Sequence, residues 1–233
     1  MRLALPRYIA HRCGGVLAPE NTLAGLQVAA ARGCQAVEFD VMLSGDGTPV
    51  LIHDETLERT TNGIGPVCKT PDAVLFSLDA GQGERIPTLV EAAAICQRHG
   101  LLANVEIKPA AGFETQTGEA VARFVSEHWS SGVRPLISSF SPAALDAAYR
   151  VAPQLQYGLL FEAVPTDWLQ RRAEIDALTL HCAASELSDT VLAEAAAAGV
   201  PVLCYTVNDR GVAEALIKRG VSSLFTDRLD LFA

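Results

Sequence analysis

Short apolar runs alternate along this chain with Ala-rich stretches whose apolar positions follow helical spacing. The runs that read as strands are Tyr8-Ile9-Ala10, Ala36 to Asp40, Leu101 to Ile107, Leu136 to Ser139, Tyr157 to Phe161, Ala177 to Leu180, Val202 to Tyr205 and Ser223 to Phe225. Between the first two lies a helix from Thr22 to Arg32, with Leu23, Leu26 and Ala30 on one face and Gly33 as its stop. Further helices are predicted from Thr88 to Arg98, ended by Gly100, from Gly118 to His128, and after Ser141-Pro142, where serine caps and proline fills the first turn. Others lie near Trp168, from Ser188 to Ala198 and from Asp209 to Arg219, and a short helix closes the chain. Eight strands separated by helical crossovers predict an α/β fold with a parallel sheet. The length of 233 residues suits a single-domain (β/α)8 TIM barrel over residues 1–233, with a doubly wound open sheet as the rival. No linker, repeat or low-complexity tract interrupts the pattern.

One segment departs from the alternation. Ser44-Gly45-Asp46-Gly47 sits between two apolar runs, and Asp-Gly is a strong hairpin signal. A two-residue loop at Asp46-Gly47 would place Gly45 opposite Thr48 and, counting back, Asp40 opposite His53. This small hairpin and loop insertion follows the second strand and would return His53 to the strand end that carries Asp40.

Hydrophobic residues make up 49% and charged residues 19%, which indicates a globular chain able to bury a full core. The net charge of −9 argues against nucleic acid, whose binding rests on basic patches, but leaves room for a small anionic ligand in a local basic or metal-filled cleft. The N-terminus carries no apolar run before a cleavage site, and no uncharged run approaches a membrane span. The six cysteines are scattered without a CxxC pair. A cytoplasmic, disulfide-free protein with no membrane or nucleic-acid partner is the expectation, its oligomeric state being open.

Barrel enzymes gather their chemistry at the C-terminal strand ends. Here those ends carry His11-Arg12, Glu38-Phe39-Asp40, Glu106-Ile107-Lys108, Ser138-Ser139-Phe140, His181, Tyr205-Thr206-Val207-Asn208 and Thr226-Asp227, with His53-Asp54 added by the hairpin. Glu38 and Asp40 are two residues apart and share a strand face. Alone they would pass for outward-facing residues, but Glu106 in the equivalent position of the next strand makes three converging carboxylates that need a cation. Hard oxygen donors suit Mg²⁺ or Ca²⁺. His11 and His53, each beside a charged residue at two strand ends, suit general acid–base work near neutral pH. Arg12 and Lys108 would meet an anion. No phosphate-loop, GxGxxG or GxSxG pattern is present.

These residues fall in motifs by which the chain resembles the glycerophosphodiester phosphodiesterase family. The matching stretches are Ala10-His11-Arg12-Cys13-Gly14-Gly15, Ala18-Pro19-Glu20-Asn21-Thr22, Glu38-Phe39-Asp40, Leu51-Ile52-His53-Asp54, Leu57-Glu58-Arg59-Thr60-Thr61-Asn62-Gly63, Asn104-Val105-Glu106-Ile107-Lys108, Ser138-Ser139-Phe140, Tyr205-Thr206-Val207-Asn208 and Thr226-Asp227. They occur in the family's order over almost the whole chain, and the likeness is greatest to the short bacterial cytoplasmic members. The resemblance implies a TIM barrel that cuts glycerophosphodiesters to an alcohol and glycerol 3-phosphate. It implies Glu38, Asp40 and Glu106 as ligands of one divalent cation, His11 and His53 as catalytic, and Arg12 and Lys108 as phosphate-binding. Phe140 and Tyr205 match positions that shape the glycerol pocket, and Glu20 and Asn21 match a motif near the site.

One departure is Cys13, where many members have glycine. Its thiol could narrow the pocket or sensitise it to oxidation, although accommodation without effect is the expected outcome. The segment from Glu55 to Glu84 is only a modest lid, which argues against selection of a bulky alcohol. Two other readings remain open at this point. A non-catalytic phosphoester-binding barrel would show a gap in the catalytic set. A phosphodiesterase acting on lysophospholipids or phosphoinositides would call for an apolar entrance.

Overall fold

The computed structural model describes residues 4–129 and 132–232. The chain runs β1 (Tyr8–Ala10), α1 (Leu23–Ala31), β2 (Ala36–Leu43), β3 (Pro49–Leu51), α2 (Asp72–Leu75), α3 (Leu89–His99), β4 (Leu102–Ile107), α4 (Glu114–His128) and β5 (Leu136–Ser139). It continues with α5 (Pro142–Val151), β6 (Gln156–Phe161), α6 (Trp168–Glu174), β7 (Thr179–Ala183), α7 (Asp189–Ala198), β8 (Val202–Tyr205), α8 (Arg210–Arg219), β9 (Ser223–Thr226) and α9 (Leu229–Phe232). Eight strands pair in parallel in the order β1-β9-β8-β7-β6-β5-β4-β2, and β1 pairs with β2 through Ala10 and Val37. That last pairing closes the ring, so the fold is a TIM barrel and the open sheet is excluded. β3 is an extra strand, antiparallel to β2. No helix among the described residues is long and apolar enough to cross a membrane.

Local chemistry sets the helix ends. Thr88 caps α3 in a full capping box with Glu91, and Gly100 ends it at φ +66°. Ser141 caps α5 ahead of Pro142, as its sequence predicts. The helix α4 begins at Glu114, four residues before the predicted start at Gly118. That glycine lies inside the helix because a Cβ there would meet the Ala144 carbonyl oxygen of α5 at 2.1 Å. Gly118→Ala is therefore expected to push α4 and α5 apart and cost about 1–3 kcal/mol, readable in a urea melt.

The inward faces of the strands change character along the barrel axis. Ile9, Ala36, Leu102, Leu136, Leu203 and Phe225 form one apolar cluster at its lower end. Two residues further along the same faces come His11, Glu38, Asn104 and Ser138, and then Asp40 and Glu106. The main core lies between the barrel and its helices, whereas Met42, Val50, Ile52, Leu57, Val67, Leu75 and Ile86 form a separate core under the excursion that follows β3.

The hairpin is present, but its register differs by one residue from the sequence expectation. Leu43 faces Pro49, Ser44 N–H donates to the Thr48 carbonyl at 2.9 Å, and Asp40 is opposite Ile52, whose N–H donates to the Asp40 carbonyl at 3.1 Å. The loop thus has three residues, Gly45-Asp46-Gly47, with Gly47 at φ +84°. Two contacts favour it over the two-residue loop. Ser44 Oγ accepts hydrogen bonds from the amides of Asp46 and Thr48 at 3.2 and 3.0 Å. Gly45 is held by the Thr70 carbonyl at 2.9 Å, in a space too tight for a Cβ.

Candidate functional site

The polar upper face of the barrel opens into a cavity of about 360 Å³ lined by His11, Arg12, Glu38, Asp40, His53, Asn104, Glu106, Lys108, Phe140, Glu162, His181 and Tyr205, among others. The candidate catalytic, metal and substrate residues His11, His53, Glu38, Asp40, Glu106, Arg12, Lys108, Phe140 and Tyr205 all reach its wall, and Glu20 and Asn21 stand behind it, bonded to Arg12 and Asp40.

The three carboxylates converge because β2 and β4 are in register, Asp40 opposite Glu106, with Glu38 two residues below Asp40. One oxygen from each lies within 4.8 Å of the others. Glu38 and Asp40 are each 2% exposed and Glu106 is 9% exposed. Glu38 Oε2 accepts the Arg12 N–H at 2.8 Å, while its Oε1 is buried without a hydrogen bond. Glu106 Oε1 likewise has no hydrogen bond, only a charge contact of 3.5 Å with Lys108 Nζ. Asn21 clamps Asp40, donating from Nδ2 to Oδ2 at 2.9 Å and accepting the Asp40 N–H at 3.1 Å. Burial, then the Asp40 and Glu106 charges, push the Glu38 carboxyl well above the usual range. Burial and Asp40 push Glu106 up to about 8. Two buried carboxylate oxygens without hydrogen bonds, brought together with a third by one strand register, fit a divalent cation with hard oxygen ligands.

The two histidines flank this cluster in the same manner. His11 Nδ1 lies 2.7 Å from Asp227 Oδ1, and its Nε2 lies 3.8 Å from Glu38 Oε2. Asp227 is in turn held by Asn208, which donates to Oδ2 at 2.9 Å and accepts the Asp227 N–H at 2.8 Å. His53 Nδ1 lies 2.6 Å from Asp54 Oδ1, and its Nε2 lies 2.5 Å from Lys108 Nζ. A carboxylate on each Nδ1 fixes a tautomer with the proton there, turning Nε2 toward the cavity as the nitrogen that accepts or donates. Burial lowers the His53 pKa, against the opposing pull of Asp40 and Asp54, and Lys108 Nζ donates to its Nε2.

Arg12 has a left-handed backbone, φ +48°, and its Nη1 donates to Glu20 Oε1 at 2.9 Å. Its Nε is buried without a hydrogen bond, 3.9 Å from Asp40 Oδ2, a donor available to an anion. On the opposite wall the Phe140 and Tyr205 rings meet edge-on at 5.7 Å, with Lys108 Nζ 5.8 Å from the Phe140 centroid. Cys13 also has a left-handed backbone, φ +73°, where glycine would be relaxed. Its side chain is fully buried against Gly25 of α1 and is not part of the cavity wall, and burial raises its thiol pKa. The thiol therefore neither narrows the cavity nor presents a reactive thiolate.

Asp54, Asp227, Asn208 and Glu162 are among the groups of this site to which the sequence assigns no role. The first three were visible as strand-end polar residues, and His53-Asp54 is an adjacent pair, but their function as partners of the imidazoles requires the geometry. Glu162 sits on the loop after β6 outside any motif.

The sequence matches the profile of the "Glycerophosphoryl diester phosphodiesterase family" over residues 11–231. It is 33% identical over 226 residues to a glycerophosphodiester phosphodiesterase of Caldanaerobacter subterraneus, covering 94% of this chain and 93% of that protein. The fold superimposes with a TM-score of 0.92, at 41% identity and 96% and 93% coverage of the two chains, on an Oleispira antarctica phosphodiesterase solved with the product sn-glycerol-3-phosphate. A glycerophosphodiester phosphodiesterase from Agrobacterium tumefaciens matches with a TM-score of 0.83 at 26% identity, covering 98% of this chain and 99% of that one.

Proposed function

This chain belongs to the glycerophosphoryl diester phosphodiesterase family, and on that footing we propose that it hydrolyses glycerophosphodiesters to an alcohol and glycerol 3-phosphate with one divalent cation, Mg²⁺ or Ca²⁺. The observation that carries this reading is the pairing of two carboxylate-anchored imidazoles, His11 and His53, around three buried carboxylates, two of which have an oxygen without a hydrogen bond.

Glu38, Asp40 and Glu106 would hold the cation, which would offset their mutual repulsion and supply Lewis acidity worth several kcal/mol of charge stabilisation. Arg12 Nε and Lys108 Nζ bind the phosphoryl oxygens and stabilise the charge that grows there. Phe140 and Tyr205 pack on the glycerol carbons. One imidazole removes a proton from the attacking oxygen through Nε2. The other delivers a proton to the departing alkoxide, also through Nε2. Asp227 and Asp54 keep each ring aimed and stabilise it when it is charged.

The catalytic set has no gap, which disfavours a purely binding barrel. A second cavity of about 250 Å³ adjoins the first, sharing Phe140 and Leu160, with Leu145, Leu159 and Phe161 in its wall. Lysophospholipids are therefore the comparison substrate. Purified protein is expected to release glycerol 3-phosphate from glycerophosphocholine, to stop in excess EDTA, and to recover with Mg²⁺ or Ca²⁺. Turnover indifferent to EDTA would reject the cation, and preference for lysolipids over water-soluble diesters would redirect the substrate assignment.

A further inference from the structure

Arg59 lies outside the cavity, in the excursion after β3, and its guanidinium is shared between two carboxylates. Its Nε and Nη2 donate to Asp54 Oδ2 and Oδ1 at 2.5 and 3.0 Å. Its Nη1 and Nη2 donate to Glu20 Oε2 and Oε1, both at 2.8 Å. Each carboxylate also holds a residue of the cavity wall. Asp54 Oδ1 is the partner of His53 Nδ1, and Glu20 Oε1 is the acceptor for Arg12 Nη1. The result is one chain of contacts, His53–Asp54–Arg59–Glu20–Arg12, joining a proton-transferring group to a phosphate-binding one. The three links come from different parts of the fold: Glu20 from the loop after β1, Asp54 from the return of the hairpin, and Arg59 from the excursion.

We propose that Arg59 is a positioning residue for the phosphodiesterase reaction, holding His53 through Asp54 and Arg12 through Glu20. The inference rests on the functional reading above. Its physical basis is the planar fork of arginine, which presents two edges to two carboxylates at once, as a lysine ammonium cannot. Ordinary exposed ion pairs add little to stability, and the Arg59 side chain is 47% exposed. Its contribution is orientation rather than folding energy, since Leu57, buried in the small core beside it, already anchors that stretch of chain. The Asp54 carboxyl is held far below its usual pKa first by the Arg59 hydrogen bond, and so stays ionised throughout the working pH range. Burial would raise the Glu20 carboxyl, but the Arg59 and Arg12 contacts outweigh it.

The test compares Arg59→Ala, Arg59→Lys, Asp54→Asn and the Arg59→Ala/Asp54→Asn double variant on glycerophosphocholine with saturating divalent ion. Arg59→Ala is expected to lower kcat by about 10–100-fold, the usual range for partners that orient a first ligand or base, with KM, cation affinity and Tm changed far less. Arg59→Lys recovers part of the loss. Added to Asp54→Asn, the Arg59→Ala change costs less than it does in the parent, because the arm through Asp54 to the His53 imidazole is already lost and only the arm through Glu20 to Arg12 remains. A kcat within twofold of the parent in Arg59→Ala, or fully multiplicative losses in the double variant, overturns the proposal. The His53 ring resonances, assigned with His53→Gln and read by NMR, judge the bridge without turnover. They must shift in Arg59→Ala, and unchanged resonances overturn it. Absence of turnover in the parent protein would reject the phosphodiesterase reading instead, leaving the NMR result to decide whether Arg59 positions the ring.

Discussion

His11→Ala and His53→Ala are each expected to lower kcat on glycerophosphocholine by about 10²–10⁴-fold. Each ring offers the cavity only its Nε2, since Nδ1 is committed to Asp227 in one case and to Asp54 in the other, and the Nε2 of His53 also meets Lys108 Nζ. Neither histidine belongs to the carboxylate cluster that would hold the cation, so calorimetric cation affinity stays near that of the parent. Both rings are only partly buried, which keeps the effect on Tm small. The two variants also separate acid from base. A diester with a good leaving group, such as a nitrophenyl ester, needs little protonation of the departing oxygen. The histidine whose loss is largely repaired by that substrate is the acid. Near-normal rates in both alanine variants would remove the acid–base assignment altogether.

Glu106→Gln is expected to abolish cation binding and turnover while making the cation-free protein more stable. The carboxyl of Glu106 is pushed up to about 8 by burial and by Asp40. Because that folded value lies above the unfolded one, the folded state binds the proton more tightly. Metal-free protein therefore loses stability as pH rises from the unfolded carboxyl range toward about 8. Glutamine keeps the shape, removes one buried negative charge and offers amide protons to the remaining carboxylates. In EDTA near pH 8 this is expected to stabilise the fold on the order of 2 kcal/mol, visible as a raised Tm. With the cation at a hundredfold over its Kd the order reverses, since binding to the parent alone adds about 2.7 kcal/mol. A Glu106→Gln protein that melts below the parent in EDTA, or that retains cation-dependent turnover, contradicts the ligand assignment.

Much of this was legible in the sequence because the relevant signals are local. Strand and helix alternate with different periods, and the polar strand ends stand out against apolar runs. Glu38 and Asp40 share a face by simple i, i+2 spacing. What decided barrel over open sheet was the meeting of Ala10 with Val37, a contact between the first strand and the second that no local pattern encodes. The hairpin shows the same division. Asp46-Gly47 announced a turn, but its length was settled by Ser44 Oγ and by Thr70, a residue 25 positions beyond Gly45. A shift of one residue would normally reverse every side chain of the strand. Here His53 lies past the last ladder pair, where the chain is free to turn it back over the cavity. Cys13 was visible as an anomaly, but only its burial against Gly25 shows why it leaves the cavity unchanged. Arg59 sat within a matching motif without a reason, because its purpose is to connect segments distant in sequence.

The separate small core under the excursion carries a consequence of its own. His11 leaves a strand of the barrel wall, whereas His53 follows Ile52, which is packed among Met42, Leu57, Val67 and Leu75 rather than in the main core. The two halves of the proposed proton-transfer pair thus stand on foundations with separate cohesion, and segments of that kind open and close at their own free energies. If the smaller core is the weaker foundation, amides of the excursion exchange with solvent faster than those of the barrel strands, and hydrogen exchange would show the site opening there first.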